Sequence, residues 1–134
     1  MLDRNGIIER MSAFDYDRHR FWISTGAAMV MHGVREFTHD IDIGCEHDVA
    51  EALIKSGCPT SRFPDGGVKI QFDDVIEVYE NWSRGEVVMI DSLPVLSLRS
   101  IIDIKRVLGR EKDFRDIELI ERFLDSDLSS AGAQ

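Results

Sequence analysis

The apolar positions along this chain change period several times, and each change marks an element. Ile7, Ile8 and Met11 recur at helical spacing within residues 4–13 and predict a short amphipathic helix. Residues 20–24, with Phe21, Trp22 and Ile23 in succession, read as a buried strand. Thr25 and Gly26 punctuate it. Residues 27–33, AAMVMHG, read as a helix closed by Gly33, which accepts the left-handed conformation of a C-cap. Residues 38–44 predict the second strand. Residues 48–56 predict a helix with Val49, Ala52 and Leu53 on one side and Gly57 at its end. The stretch CPTSRFPDGG, with two prolines and two glycines, reads as a loop. GVKIQF and VIEVY flank Asp73 and Asp74 and predict a hairpin, and residues 86–90, EVVMI, a further strand.

Two helices close the pattern. Residues 98–108 put Leu98, Ile101, Ile102 and Leu108 on one face, ahead of Gly109. Residues 112–125 carry a stripe through Phe114, Ile117 and Leu124. The small, polar end predicts a frayed tail over 126–134, after a single domain spanning 1–125. The order αβαβα-βββ-αα is that of an α+β or α/β domain.

Composition narrows the function classes. The chain has 134 residues, 43% of them apolar, which suffices for one domain with its own core. A net charge of −9 repels polyanions over most of the surface and argues against sequence-independent nucleic-acid binding. It leaves room for a local basic pocket. Cys45 and Cys58 form no CxxC pair, so a structural zinc site is not expected, and free thiols in a reducing cytosol are. No signal-like apolar segment opens the chain, and a cytoplasmic location is the expectation.

The candidate chemistry centres on THDIDIGC, residues 38–45. Strand alternation places Thr38, Asp40, Asp42 and Gly44 on one face and His39, Ile41, Ile43 and Cys45 on the other. Two carboxylates this close repel unless a cation or proton intervenes. Hard oxygen ligands suit Mg²⁺ or Mn²⁺, which orient a triphosphate and neutralise charge in phosphoryl transfer. A solvated edge-strand face accounts for the same acids equally well from this motif alone. Upstream, a strand ends in STG and a helix begins at once. Backbone N–H groups at such a helix start form a phosphate cradle.

The stretch STGAAMVMHGVREFTHDIDIGC resembles the minimal nucleotidyltransferases of the DNA polymerase β-like superfamily. It is most similar to small bacterial stand-alone proteins related to type IV toxin–antitoxin nucleotidyltransferases. The later run LPVLSLRSIIDIKRVLGREKDFRDIELI is similar to the same group, so the resemblance covers about residues 20–124. It implies an α+β nucleotidyltransferase fold: a twisted mixed sheet with helices packed on one face and an open cleft on the other. It implies Mg²⁺- or Mn²⁺-dependent transfer of a nucleoside monophosphate from a nucleoside triphosphate to an acceptor hydroxyl. The acceptor is unspecified: a small molecule, RNA or a protein. A homodimer or a toxin–antitoxin partner fits the same resemblance, and a membrane role does not.

The resemblance also implies roles. Asp40 and Asp42 would hold the metal, with a third carboxylate from the hairpin. Glu77 in VIEVY is the assignment, where the superfamily more often has Asp, and it would also help activate the acceptor hydroxyl. Asp73 and Asp74 are its rivals, both placed where the turn should be. Gly26 and Ala27 would meet the phosphates, with Arg35, Lys105 and Lys112 completing the nucleotide site. Ala27 stands where the family commonly has Ser or Gly. One charge-assisted hydrogen bond fewer weakens binding roughly tenfold to a hundredfold. A catalytically weak or inactive nucleotide-binding or regulatory module is therefore the alternative.

Taken one by one, the basic side chains also admit plainer roles. Arg35 pairs with Asp40 or Asp42, or reaches a phosphate. Lys105, on the apolar side of its helix, snorkels or faces an anion. Arg110 and Lys112 read as solvated surface at a helix–helix turn, with Asp113 and Asp116 as partners or as first-turn acids. His32 sits in the last turn of its helix, where a positive charge is favourable. Trp22 and Trp82 read as packing residues.

Overall fold

A computed structural model describes residues 1–132, with side chains described through Ser126. The elements run α1 (Arg4–Met11), β1 (Phe21–Ser24), α2 (Thr25–His32), β2 (Ile41–Cys45), α3 (His47–Lys55), β3 (Thr60–Arg62) and β4 (Val68–Gln71). They continue with β5 (Ile76–Glu80), β6 (Val87–Ile90), β7 (Leu93–Leu96), α4 (Leu98–Leu108) and α5 (Glu111–Gly132). The seven strands form one mixed sheet in the order β3-β4-β5-β2-β1-β7-β6. β2 runs antiparallel to β1 and parallel to β5, and β7 runs parallel to β1. This is the α+β mixed-sheet architecture expected above.

Register sorts the strands into two faces. Phe21 pairs with Cys45 and Ile23 with Ile43, while Ile41 pairs with Ile76 and Ile43 with Val78. These side chains, all nearly or fully buried, make the face that packs under α2 and α3. The alternate positions fall on the other face: Trp22 opposite Gly44, Ser24 opposite Asp42, and Asp42 opposite Glu77. A one-residue slip would exchange the two sets, so burial of the apolar face fixes where the acids point. Gly33 and Gly109 end α2 and α4 in the left-handed region, as their positions predict.

Several expectations need correction. β3 lies inside the stretch expected to be a loop; its three residues are all exposed and carry no apolar signal. β7 is absent from the expected elements, since Pro94 cannot donate to a ladder. The strand nevertheless pairs with β1 through Val95 and with β6 on its other side. The second strand begins at Ile41, not at residue 38. Thr38 instead forms an isolated antiparallel bridge with Leu2. α5 continues past residue 125 to Gly132, because a helix once nucleated extends at small cost. The last two residues of the tail expected over 126–134 lie outside the described residues.

Candidate active site

The site forms where β1 hands over to α2. Ser24 ends the strand and is the N-cap of α2, in extended conformation with no side-chain cap hydrogen bond. It is fully buried, and its hydroxyl has no partner. Thr25 follows at φ +48°, a rare conformation for a β-branched residue. In that conformation its Oγ1 donates to Asp42 Oδ2 at 3.0 Å. Strain held at a point like this costs about 1–3 kcal/mol and recurs where function fixes the backbone. Gly26 is tightly bounded: a Cβ there would meet Thr38 Oγ1 at 2.9 Å and Arg35 Nη1 at 3.1 Å. Glycine therefore lets the helix start, Arg35 and Thr38 converge on one corner.

Beside this corner, one carboxylate oxygen from each of Asp40, Asp42 and Glu77 lies within 4.8 Å of the other two. No other such group of three occurs among the described residues. Asp40 is exposed just before β2, and Asp42 and Glu77 are half-buried cross-strand neighbours. Burial, followed by the charge of Asp40, pushes the Asp42 carboxyl up to about 6. The Thr25 hydrogen bond opposes that rise. Asp42 Oδ1 is buried without a partner. An orphaned carboxylate oxygen beside two further carboxylates suits a hard divalent cation, so these residues fit Mg²⁺ or Mn²⁺.

Glu77 is held on its other side. Tyr79 Oη donates to Glu77 Oε2 at 3.1 Å, and Lys69 Nζ lies 3.5 Å from Glu77 Oε1. Burial raises the Tyr79 phenol above its ordinary range, and nearby Asp42 and Glu77 add to this, so it remains a proton donor at neutral pH. The rival acids serve the hairpin. Asp73 Oδ1 accepts from the N–H groups of Val75 and Ile76 at 2.9 and 2.7 Å, and Asp74 pairs with Arg10.

An open cleft of about 1350 Å³ spreads over Asp40 and Asp42, and Glu77 is not among its lining residues. One wall carries Arg35, Lys105, Arg110, Lys112 and Arg115 from the α2–β2 connection and the α4–α5 region. The opposite wall carries Phe63, Asp65, Tyr79, Glu80, Asn81 and Trp82 from the β3–β4 turn and the end of β5. Sheet order separates the two walls, since β5 flanks β2 on one side and β1, which leads into α2, flanks it on the other. Tyr79 and Trp82 pack ring to ring with centroids 4.7 Å apart. Trp22 Nε1 donates to the Trp82 carbonyl at 2.9 Å across Gly44, where a Cβ would meet both of those atoms at 2.2 Å. Gly44 thus keeps the acid strand bare so that the Trp82 loop can be tied down.

The nucleotide-site expectations fare unevenly. Gly26, Arg35, Lys105 and Lys112 all line the cleft. Ala27 does not; it is 1% exposed and packs in the core, so a hydroxyl there would not reach the cleft. Arg35 pairs with neither Asp40 nor Asp42. Its Nη2 donates to Asp116 Oδ1 at 2.6 Å. Lys105 is buried and lies 2.9 Å from Asp116 Oδ2 and 3.6 Å from Asp113 Oδ1. Arg110 holds the fully buried Asp113 through Nε at 2.7 Å. Three cations thus meet two carboxylates, and the cluster keeps one positive charge in excess. His32 Nε2 donates to the Leu96 carbonyl at 2.8 Å, and burial lowers its pKa. Its role is a neutral tie between α2 and β7, not a charge at the helix end. His39, outside β2, is exposed and lines the cleft, because strand alternation does not reach it. Thr25, Phe63, Tyr79, Asn81 and Arg115 are among the lining residues to which the sequence assigns no site role, and Trp82 lines the cleft as well as packing. The Thr-Gly step before a helix was the available signal for Thr25.

No family model matches the chain, and no curated protein matches it by sequence. Among solved structures it is similar to the aminoglycoside nucleotidyltransferase ANT(2″)-Ia, in its crystal structure in complex with adenylyl-2″-tobramycin. The TM-score is 0.56 at 18% identity, over 93% of this chain and 91% of that one. The likeness extends to the fold. No described helix is long and apolar enough to cross a membrane.

Proposed function

We propose that this chain is a metal-dependent nucleotidyltransferase, moving a nucleoside monophosphate from a nucleoside triphosphate to an acceptor hydroxyl with release of pyrophosphate. The observation that carries the proposal is the convergence of Asp40, Asp42 and Glu77 within 4.8 Å, beside a helix start and facing a cationic wall. Asp40, Asp42 and Glu77 would hold Mg²⁺ or Mn²⁺. That ion would neutralise phosphate charge and lower the pKa of the attacking hydroxyl.

The chain's own groups divide the rest. The backbone N–H groups at the start of α2 would meet the phosphates, while the Thr25 hydroxyl is committed to Asp42. Lys112, Arg115 and the excess charge of the Lys105 cluster draw the leaving pyrophosphate to their wall. Glu77 adjoins the acceptor side and serves as the base that helps take its proton.

Attacking and leaving oxygens lie roughly in line in phosphoryl transfer. With pyrophosphate leaving toward the α4–α5 wall, the acceptor approaches from the wall of Phe63, Asp65, Tyr79, Glu80, Asn81 and Trp82. The residues lining that wall carry aromatic rings and acids and no cation. We infer a small hydroxyl-bearing acceptor, neutral or cationic, in preference to RNA. ANT(2″)-Ia is seen in complex with adenylyl-2″-tobramycin. A toxin–antitoxin role would call for a macromolecular acceptor or partner, and this wall disfavours a polyanionic one.

Parallel incubations with α- and γ-labelled nucleoside triphosphates and a panel of hydroxylated cations test the proposal. Stable α-label on an acceptor, with the γ-label leaving as pyrophosphate, is expected. Transfer of the γ-label, or no transfer to any acceptor with Mg²⁺ or Mn²⁺ present, would contradict it.

A further inference from the structure

Glu77 differs from a shorter aspartate by one methylene and one more rotatable bond. A longer arm brings its oxygen into the cluster only if something fixes it, because side-chain freedom opposes a single placement. Two groups do so here. Tyr79 lies two residues along β5, on the same face, and its hydroxyl donates to Glu77 Oε2 at 3.1 Å. Lys69 sits on β4 directly across from Tyr79 in the antiparallel register, and its ammonium lies 3.5 Å from Glu77 Oε1. One carboxylate oxygen thus accepts from a neutral donor, and the other lies within ion-pair distance of a cation.

The two groups differ in what they do to an incoming cation. A phenol adds no net charge, so it orients Glu77 without repelling a divalent ion. Its ring is itself fixed against Trp82, whose loop is tied to Trp22. An ammonium occupies the same carboxylate that the ion needs and repels the ion by charge. Three carboxylates carry three negative charges between them, and Lys69 is the cation paired with the cluster among the described residues.

Resting on the metal-site reading above, we propose that Tyr79 is a positioning residue for Glu77, and that Lys69 is the resident cation a divalent ion displaces from it. The two side chains then act on metal affinity with opposite sign. A purely structural pair would not behave so.

Mn²⁺ binding to the full chain, followed by calorimetry and by the loss of the free-ion electron paramagnetic signal, separates the outcomes. Tyr79→Phe keeps the ring stacking and removes only the donor; affinity should fall about threefold to thirtyfold. Lys69→Met removes the resident charge; affinity should rise, by about threefold or more. Lys69→Arg keeps the charge and should return affinity close to that of the unaltered protein. Equal affinity in Tyr79→Phe and the unaltered protein, with matched thermal unfolding, would overturn the positioning role. A fall in Lys69→Met would overturn the displacement. Asp40→Asn/Asp42→Asn is the control for the underlying site. If the unaltered protein binds Mn²⁺ no better than this double variant, the metal reading itself fails, and the proposal with it.

Discussion

Thr25 and Asp42 are joined by a 3.0 Å hydrogen bond between the first residue of α2 and the acid of β2. The bond holds Thr25 at φ +48°, and it opposes the rise of the Asp42 pKa. Thr25→Gly should separate these effects. Glycine adopts positive φ freely, so stability to urea should stay level or rise by up to about 1 kcal/mol. Loss of the donor should push the Asp42 carboxyl above 6, read by carbon NMR titration. A Thr25→Gly protein whose Asp42 titrates lower would contradict the assignment.

Asp42 also sets a pH dependence with a definite sign. Its folded pKa of about 6 exceeds the ordinary value of 3.8, so between these values the folded state holds more protons than the unfolded one. Stability then falls as pH rises through that window and stays lower above it. Asp42→Asn should raise stability at pH 8 by about 1–3 kcal/mol and have little effect at pH 4, in metal-free urea denaturation. The same proton competes with a cation, so Mn²⁺ affinity should increase from pH 5 to pH 7.

Gly44 makes a steric prediction. A Cβ would stand 2.2 Å from both Trp22 Nε1 and the Trp82 carbonyl, and a backbone oxygen cannot step aside cheaply. Gly44→Ala should break the Trp22–Trp82 bond and cost about 2 kcal/mol or more. The fluorescence of the two tryptophans and the thermal midpoint would both shift. Unchanged spectra would show that the loop is not tied there.

The cluster beneath the cationic wall is a stability prediction. Lys105 is 5% exposed, and without it Asp113 keeps Arg110 and Asp116 keeps Arg35. Lys105→Met should therefore cost only about 1–2 kcal/mol, less than the loss expected where a buried charge is left unpaired. Lys112→Ala, at an exposed position on the same wall, should leave stability within about 0.5 kcal/mol while weakening triphosphate binding.

Much of this site is legible in local pattern. Strand alternation put Asp40 and Asp42 together, and Asp42 does face the cleft opposite Ser24 and Glu77. Glycine after the periodic residues located the ends of α2 and α4. Other features depend on long-range pairing that no local pattern encodes. Pro94 hid β7, whose place in the sheet comes from its neighbours on both sides. Lys105 looked like a group facing an anion; its partners Asp113 and Asp116 come from the next helix. At the start of α2 the cleft is lined by Thr25 and Gly26, and the Ala27 side chain is buried, a placement set by packing rather than by the local motif.

The central claim is that the three carboxylates hold a divalent ion which in turn holds a nucleoside triphosphate. Calorimetric titration with each nucleoside triphosphate, with and without Mg²⁺, on the unaltered protein and on Asp40→Asn/Asp42→Asn, tests it most directly. Binding that requires Mg²⁺ and disappears in the double variant is the predicted result. Equal binding by both proteins would contradict it.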